Sequence, residues 1–149
     1  MVLNLKENRN RLAVVGFLLL LLVLMGVSYG AAAQPCAPDG ADLSARLGFL
    51  ADFGHYCDGE SENSKAVVIP LQWSDVYESY NALQVLQGFD LSHYKGQTAT
   101  LYTYAVTNYS EKDAVYAHLL VSQGVIIGGD IASARLDGFM EGFGGERVA

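Results

Sequence analysis

Residues 12–33 carry no charge, and 18 of those 22 positions are apolar. A run of this kind either enters a bilayer or is cut away, so it constrains the chain more than any other feature. As a helix, 22 residues reach ~33 Å, enough to cross a hydrocarbon layer of ~30 Å. Lys6, Arg9 and Arg11 precede the run, whereas the first charges after it are Asp39 and Asp42. The positive-inside bias then keeps the head in the cytoplasm and exports everything that follows. The expected organisation is a cytoplasmic head at 1–11, a transmembrane helix or signal peptide at 12–33, a turn-rich tether at 34–40 and an extracytoplasmic domain at 41–149. Ala31-x-Ala33 also fits signal cleavage, which would release a secreted form beginning at Gln34. The 16-residue apolar centre Leu12–Val27 exceeds the ~7–15 residues of a signal core and favours an uncut anchor. Gln34-Pro35 ahead of Cys36 lacks the small residue that lipoprotein processing needs.

Charge divides as unevenly as hydrophobicity. The head holds three basic residues and one acidic, for +2; the exported part holds 6 basic and 15 acidic, for −9. A body that acidic repels phosphate backbones, which argues against nucleic acid as a partner. With the head and apolar run set aside, 54 of the remaining 116 residues are apolar, an ordinary globular share. One domain of that size buries roughly two-thirds of its unfolded surface.

Both cysteines, Cys36 and Cys57, fall on the exported side, where disulfides persist. They flank a predicted helix, and a bridge requires both connecting arms to fold back along it. Such a bridge would contribute roughly 3 kcal/mol; two independent thiols are the alternative.

The exported part predicts an α+β domain. Asp39, with Asp42 three residues on, offers a cap for a helix over 41–53 whose stripe is Leu43, Leu47 and Leu50, widened by Phe49 and Phe53 and ended by Gly54. Residues 58–65 (DGESENSK) read as a polar loop, followed by a short strand at 66–69 that Pro70 halts. Ser74 caps a second helix from Asp75 to Gln87 with Val76, Tyr80 and Leu83 facing the core, and residues 89–97 read as an ordered loop. The period then changes to two. Strands are expected at Thr98–Tyr109, from Val115 to Ser122, and, after a Gln123-Gly124 turn, at Val125–Ile127. Gly128-Gly129 interrupts this three-stranded meander as a bulge or close backbone approach, and Leu136, Phe139, Met140 and Phe143 predict a short C-terminal helix packed on the sheet.

Chemistry is sparse in this pattern. No Gly-x-Ser-x-Gly elbow, Walker A or Gly-x-Gly-x-x-Gly sequence occurs. His118 alternates to the outer face of its strand and reads as solvated. His55, Cys57 and Asp58 are too crowded in sequence to converge on one metal, so neither metal nor cofactor is expected. Asp90, Asp130 and Asp137 lie in or beside glycine-containing turns, where a carboxylate can face a pocket or simply satisfy nearby N–H groups. Tyr102 and Tyr104 share a strand face, either as a binding platform or straddling core and solvent with hydroxyls partnered. The place to look for binding is where Phe89-Asp90-Leu91, Tyr94 and Gly128-Gly129-Asp130 converge, with Asp137 nearby, because loops on rigid scaffolds carry function most often.

Several segments taken together resemble a bacterial family, domain of unknown function 4830: Leu47-Gly48-Phe49-Leu50 to Phe53-Gly54, Val68-Ile69-Pro70, Val76-Tyr77-Glu78, Gln87-Gly88-Phe89-Asp90-Leu91, Tyr94-x-Gly96, Tyr102-Thr103-Tyr104, Ile127-Gly128-Gly129-Asp130 and Leu136-Asp137-Gly138-Phe139-Met140. The resemblance runs from about Ala45 to Phe143, and it implies an N-terminal membrane segment. His55 stands where the family usually has Trp, and Ala132 where Cys is common, which argues against a shared thiol chemistry. No activity comes with the resemblance. The expected function is non-enzymatic recognition or regulation at the cell envelope, with an envelope protein or peptide as partner. The alternatives are a small hydrolase built on the acidic residues and a structural subunit of an envelope assembly.

Overall fold

A computed structural model describes residues 37–109, 114–135 and 137–148. The apolar run at 12–33, its cleavage site, Cys36, the turn at 110–113 and Leu136 lie outside the described residues. Among the described residues no helix is long and apolar enough to cross a membrane.

The domain is α+β, built on a five-stranded antiparallel sheet in the order β1-β2-β3-β4-β5, with strands Cys57–Val68, Thr98–Val106, Val115–Ser122, Val125–Ser133 and Met140–Glu141. Helix α1, Leu43–Asp52, and helix α2, Asp75–Leu86, pack on opposite faces. The alternation of β3 explains why both faces are covered: Val115, Ala117, Leu119 and Val121 meet Leu50 of α1 in one core, while Leu120 faces Leu91, Ile69 and Ile127 in the other. The β3–β4 turn places Gln123 and Gly124 at φ 51° and 79°, the doubly positive pair that a two-residue hairpin needs.

Four expectations need correction. The cap of α1 is Asp42, whose carboxylate accepts from Ala45 N at 2.8 Å; Asp39 accepts from Ala41 N instead. Residues 58–65 are strand, not loop: β1 lies at the sheet edge, where polar side chains are tolerated on both faces, and residues 59–62 bulge out between the pairs Asp58–Ala105 and Asn63–Thr103. Val76 is 80% exposed and belongs to no core. The C-terminal helix does not form. Gly138 and Gly142 raise its entropic cost, and residues 140–141 instead pair with Ile131 and Ala132 as β5. Phe143 is buried against α1, while Met140 is half exposed on the opposite side. The sheet thus has five strands, one more than the 66–69 strand and the three-stranded meander expected, and β4 runs on through the glycines to Ser133.

The close approach expected at the glycines is real. A Cβ at Gly129 would stand 2.1 Å from the His118 carbonyl oxygen and 2.6 Å from the Phe143 ring. The backbone edge of Gly129 is finished by side chains of α2 and its C-cap: its N–H donates to Gln84 Oε1 (2.8 Å) and its carbonyl accepts from Gln87 Nε2 (3.1 Å). Gln87 Oε1 in turn accepts from Phe143 N at 2.7 Å. Two glutamines therefore continue the hydrogen bonding of β4 where β5 stops short.

Cys57 is a free, half-buried thiol at the start of β1, packed against the α1-side core, and burial pushes its pKa up to about 11. We expect alkylation of native protein at pH 8 to run roughly a hundredfold slower than after denaturation. A Cys57 bridged to Cys36 would react in neither state.

Candidate functional site

Asp130, His118 and Tyr80 meet on the α2 face of the sheet. Asp130 and His118 are directly opposed across β4 and β3, and His118 Nδ1 lies 2.8 Å from Asp130 Oδ1. Tyr80 reaches down from α2, and its hydroxyl donates to Asp130 Oδ2 at 3.1 Å. The Asp130 side chain is only 5% exposed, and that of His118 27%. A carboxylate so buried survives only if both oxygens are satisfied. Here one accepts from a phenol and the other faces an imidazole. With the carboxylate accepting, Nδ1 of His118 carries a proton, and in that tautomer Nε2 is the ring's acceptor. Burial and the Asp130 charge push the Tyr80 phenol well above its ordinary pKa, so it remains a donor.

These three side chains form the polar part of a cleft of about 320 Å³ whose other walls are Val67, Val68, Tyr77, Leu101, Leu120 and Met140. A second cleft of about 500 Å³ shares Tyr77, Tyr80 and Met140 with it and continues along α2 past Val76, Leu83 and Val148. Joined at the shared residues, the two make one groove, apolar along its length and polar at one end. Val68, Val76, Met140 and Val148 are all exposed along its rim.

Of the binding residues expected from sequence (Asp90, Tyr94, Gly128, Gly129, Asp130 and Asp137), Asp130 alone lines this groove. Gly128 and Gly129 support it from β4: a Cβ on Gly128 would crowd Gln84 Oε1 at 2.7 Å and approach Leu91. Asp90 caps the 3₁₀ turn at Leu91–Tyr94, accepting from Ser92 N and Asn81 Nδ2; the Ser92 hydroxyl and N–H, and the Asn81 amide, hold its pKa below the ordinary carboxylate value. Tyr94 packs on the α2-side core. Asp137 is 75% exposed and pairs with Arg135, which lowers its pKa. Asp90 and Asp137 each answer to local partners and line neither of these clefts.

Two site features escaped the sequence reading. His118, on the strand face expected to be solvated, is half-buried and paired. Its cross-strand partner Asp130 carries the only available signal: once β3 and β4 are in register, an acid directly opposes the histidine. The second feature is Arg46, 4% exposed on α1. Its Nε donates to the Tyr104 hydroxyl (2.7 Å), one terminal nitrogen to the Gly40 carbonyl (2.9 Å) and the other to Glu62 Oε2 (2.9 Å), while the guanidinium lies 3.8 Å from the Tyr102 ring centre. Tyr104 donates to the same Glu62 oxygen at 2.5 Å. The tyrosine pair therefore straddles core and interior charge; it makes no platform.

Because the Tyr104 hydroxyl and Arg46 stabilise its charged form, Glu62 titrates below the ordinary carboxylate range. A group whose pKa falls on folding contributes stability above its unfolded pKa and loses it as pH drops through the folded value. Melting temperature should fall more steeply on acidification below about pH 4.5 in the native chain than in Glu62→Gln.

A profile of the family described as domain of unknown function (DUF4830) matches residues 49–131. The chain belongs to this family. The match begins within α1 and ends just past Asp130, so it takes in α2, the glycine pair and all three side chains of the groove floor. No curated protein and no solved structure matches the chain. For a DUF4830 domain, the geometry of the groove is accordingly the guide to function.

Proposed function

We propose that this DUF4830 protein is a membrane-tethered recognition domain outside the cytoplasmic membrane, and that its ligand lies in the groove between α2 and the sheet. One observation carries the reading: a buried carboxylate, imidazole and phenol are assembled at one end of an otherwise apolar groove. A polar cluster on an apolar sheet face is destabilising relative to a hydrophobic core of the same volume. Departures of this kind are expected where a site, not the fold, has selected the residues. Apolar walls with a few converging polar groups are the usual composition of a ligand pocket. The uncharged run at 12–33 and the basic head before it support the tether and its orientation.

Two measurements on the full chain test the proposal. A reporter at the C-terminus should be degraded by protease added to intact protoplasts; protection would overturn the external placement. In nanodiscs, melting of the wild type should rise with small apolar envelope components bearing one polar group, and Leu83→Trp, which fills the groove, should abolish the rise. Turnover of such a compound that disappears in His118→Ala would replace recognition with catalysis.

A further inference from the structure

The geometry points to an aliphatic primary ammonium, a small amine on an apolar chain, as the ligand class of this groove. The inference rests on the groove being the recognition site and adds the chemistry of what it holds. Three observations lead to it. First, Asp130 fixes the imidazole proton on Nδ1 through the 2.8 Å contact, and Nε2 takes no protein partner among the described residues. In the tautomer this contact selects, Nε2 offers an acceptor to whatever enters, which calls for a donor. Second, neither cleft is lined by Lys or Arg, while Asp130 supplies a buried negative charge. A cation seated at Nε2 would offset that charge, whereas an anion would meet it unscreened. Tyr80 cannot reverse this, because its proton is already committed to Asp130 Oδ2. Third, the body around the groove is acidic, with 6 basic and 15 acidic residues after the apolar run, which favours approach of cations. The remaining walls, Val67, Val68, Leu101, Leu120, Met140 and, farther on, Leu83, Val76 and Val148, suit a hydrocarbon chain.

The test compares hexylamine, hexanoate and hexanol, three ligands of equal chain and different heads, on the full chain in phosphatidylcholine nanodiscs at neutral pH. Shifts of the amide and methyl resonances of Val68, Tyr80, His118 and Met140 report on the groove. The expected result is that hexylamine shifts these residues with an affinity about tenfold above hexanol, and hexanoate weaker still. Asp130→Asn supplies the decisive arm. Its Oδ1 can still accept from Tyr80, but its amide now donates to Nδ1, which moves the imidazole proton to Nε2 and turns an acceptor into a donor. In this variant, with the fold checked by circular dichroism, the order should reverse, hexanoate binding more tightly than hexylamine.

Hexanoate or hexanol matching hexylamine in the wild type would overturn the ammonium assignment and leave the groove as a binding site. An unchanged order in Asp130→Asn would do the same. If none of the three shifts groove residues, the groove reading fails along with it. A lysine-bearing hexapeptide binding at least tenfold more tightly than hexylamine would overturn the small-molecule assignment in favour of a peptide.

Discussion

Gly129→Ala is expected to prevent folding, or to destabilise the domain by more than about 4 kcal/mol, the range reached only when a substitution forces a buried clash that cannot relax. The new Cβ would lie 2.1 Å from the carbonyl oxygen of His118 on the adjoining strand and 2.6 Å from the Phe143 ring. The carbonyl belongs to β3, which is hydrogen-bonded on both sides and cannot retreat. The ring belongs to a cluster with Phe49, Phe53 and Phe89, so it too is hemmed in. Since a domain of this size is stable by only ~5–15 kcal/mol in total, such a loss removes much of the native population. Gly128→Ala should be less damaging, because the first atom met is the end of the Gln84 side chain at 2.7 Å. Gly48→Ala is the control: nothing lies within 4 Å of its Cβ on exposed α1, and higher helix propensity should raise stability by up to about 1 kcal/mol. Thermal or urea melts of the three variants check the ranking.

Arg46→Ala is expected to be the next most damaging change, at about 3 kcal/mol, corresponding to a fall in melting temperature of roughly 10–15 °C. Three acceptors lose their donor at once: the Tyr104 hydroxyl oxygen, the Gly40 carbonyl and Glu62. Tyr104 is fully buried, so its oxygen has no water to turn to. Glu62 keeps the Tyr104 hydroxyl as a donor and is partly open to solvent, which holds the loss below that of a fully enclosed ion pair. The guanidinium also joins elements distant in sequence, since Gly40 precedes α1, Glu62 lies in the β1 bulge and Tyr104 lies on β2. Tyr104→Phe should cost less, about 1–2 kcal/mol, because Arg46 and Glu62 still hold each other directly. A double variant losing less than the sum of the two would show that the three side chains act as a unit.

The parts of the fold legible in the sequence were those written in a clear period. Both helices, the β3 alternation and the β3–β4 turn follow from apolar spacing, caps and Gln123-Gly124. The bulged edge strand was not legible, because an edge strand exposed on both faces has no hydrophobic pattern to read. Ser61 shows how such a segment stays in the sheet: its hydroxyl accepts from Ala105 N at 2.8 Å, standing in for a backbone carbonyl. The C-terminal segment misled in the opposite way. Leu136, Phe139, Met140 and Phe143 do lie at helical spacing, but Phe139 and Phe143 pack toward the α1-side core while Met140 turns to the groove. The pattern came from an irregular segment touching both faces of the sheet. Glu141 helps secure it, accepting from the Tyr109 hydroxyl and from Arg147 at 2.7 Å.

For the site, composition and motif gave Asp130 but not its partners. Alternation correctly sent His118 to the face opposite Val115, Ala117, Leu119 and Val121. That face is not solvent, because α2 covers it and Tyr80 closes over it, a fact of tertiary packing with no trace in local spacing. Arg46 escaped for a similar reason. A lone basic residue on an amphipathic helix looks like surface until the glutamate and tyrosine that meet it are brought in from β1 and β2.

The chemistry of the groove turns on the proton held between His118 and Asp130. Long-range proton–nitrogen NMR of the His118 ring reads it in the full chain. The result predicted is a neutral imidazole protonated at Nδ1, with that tautomer reversing to Nε2–H in Asp130→Asn. A wild-type ring protonated at Nε2, or one exchanging freely between tautomers, would contradict it.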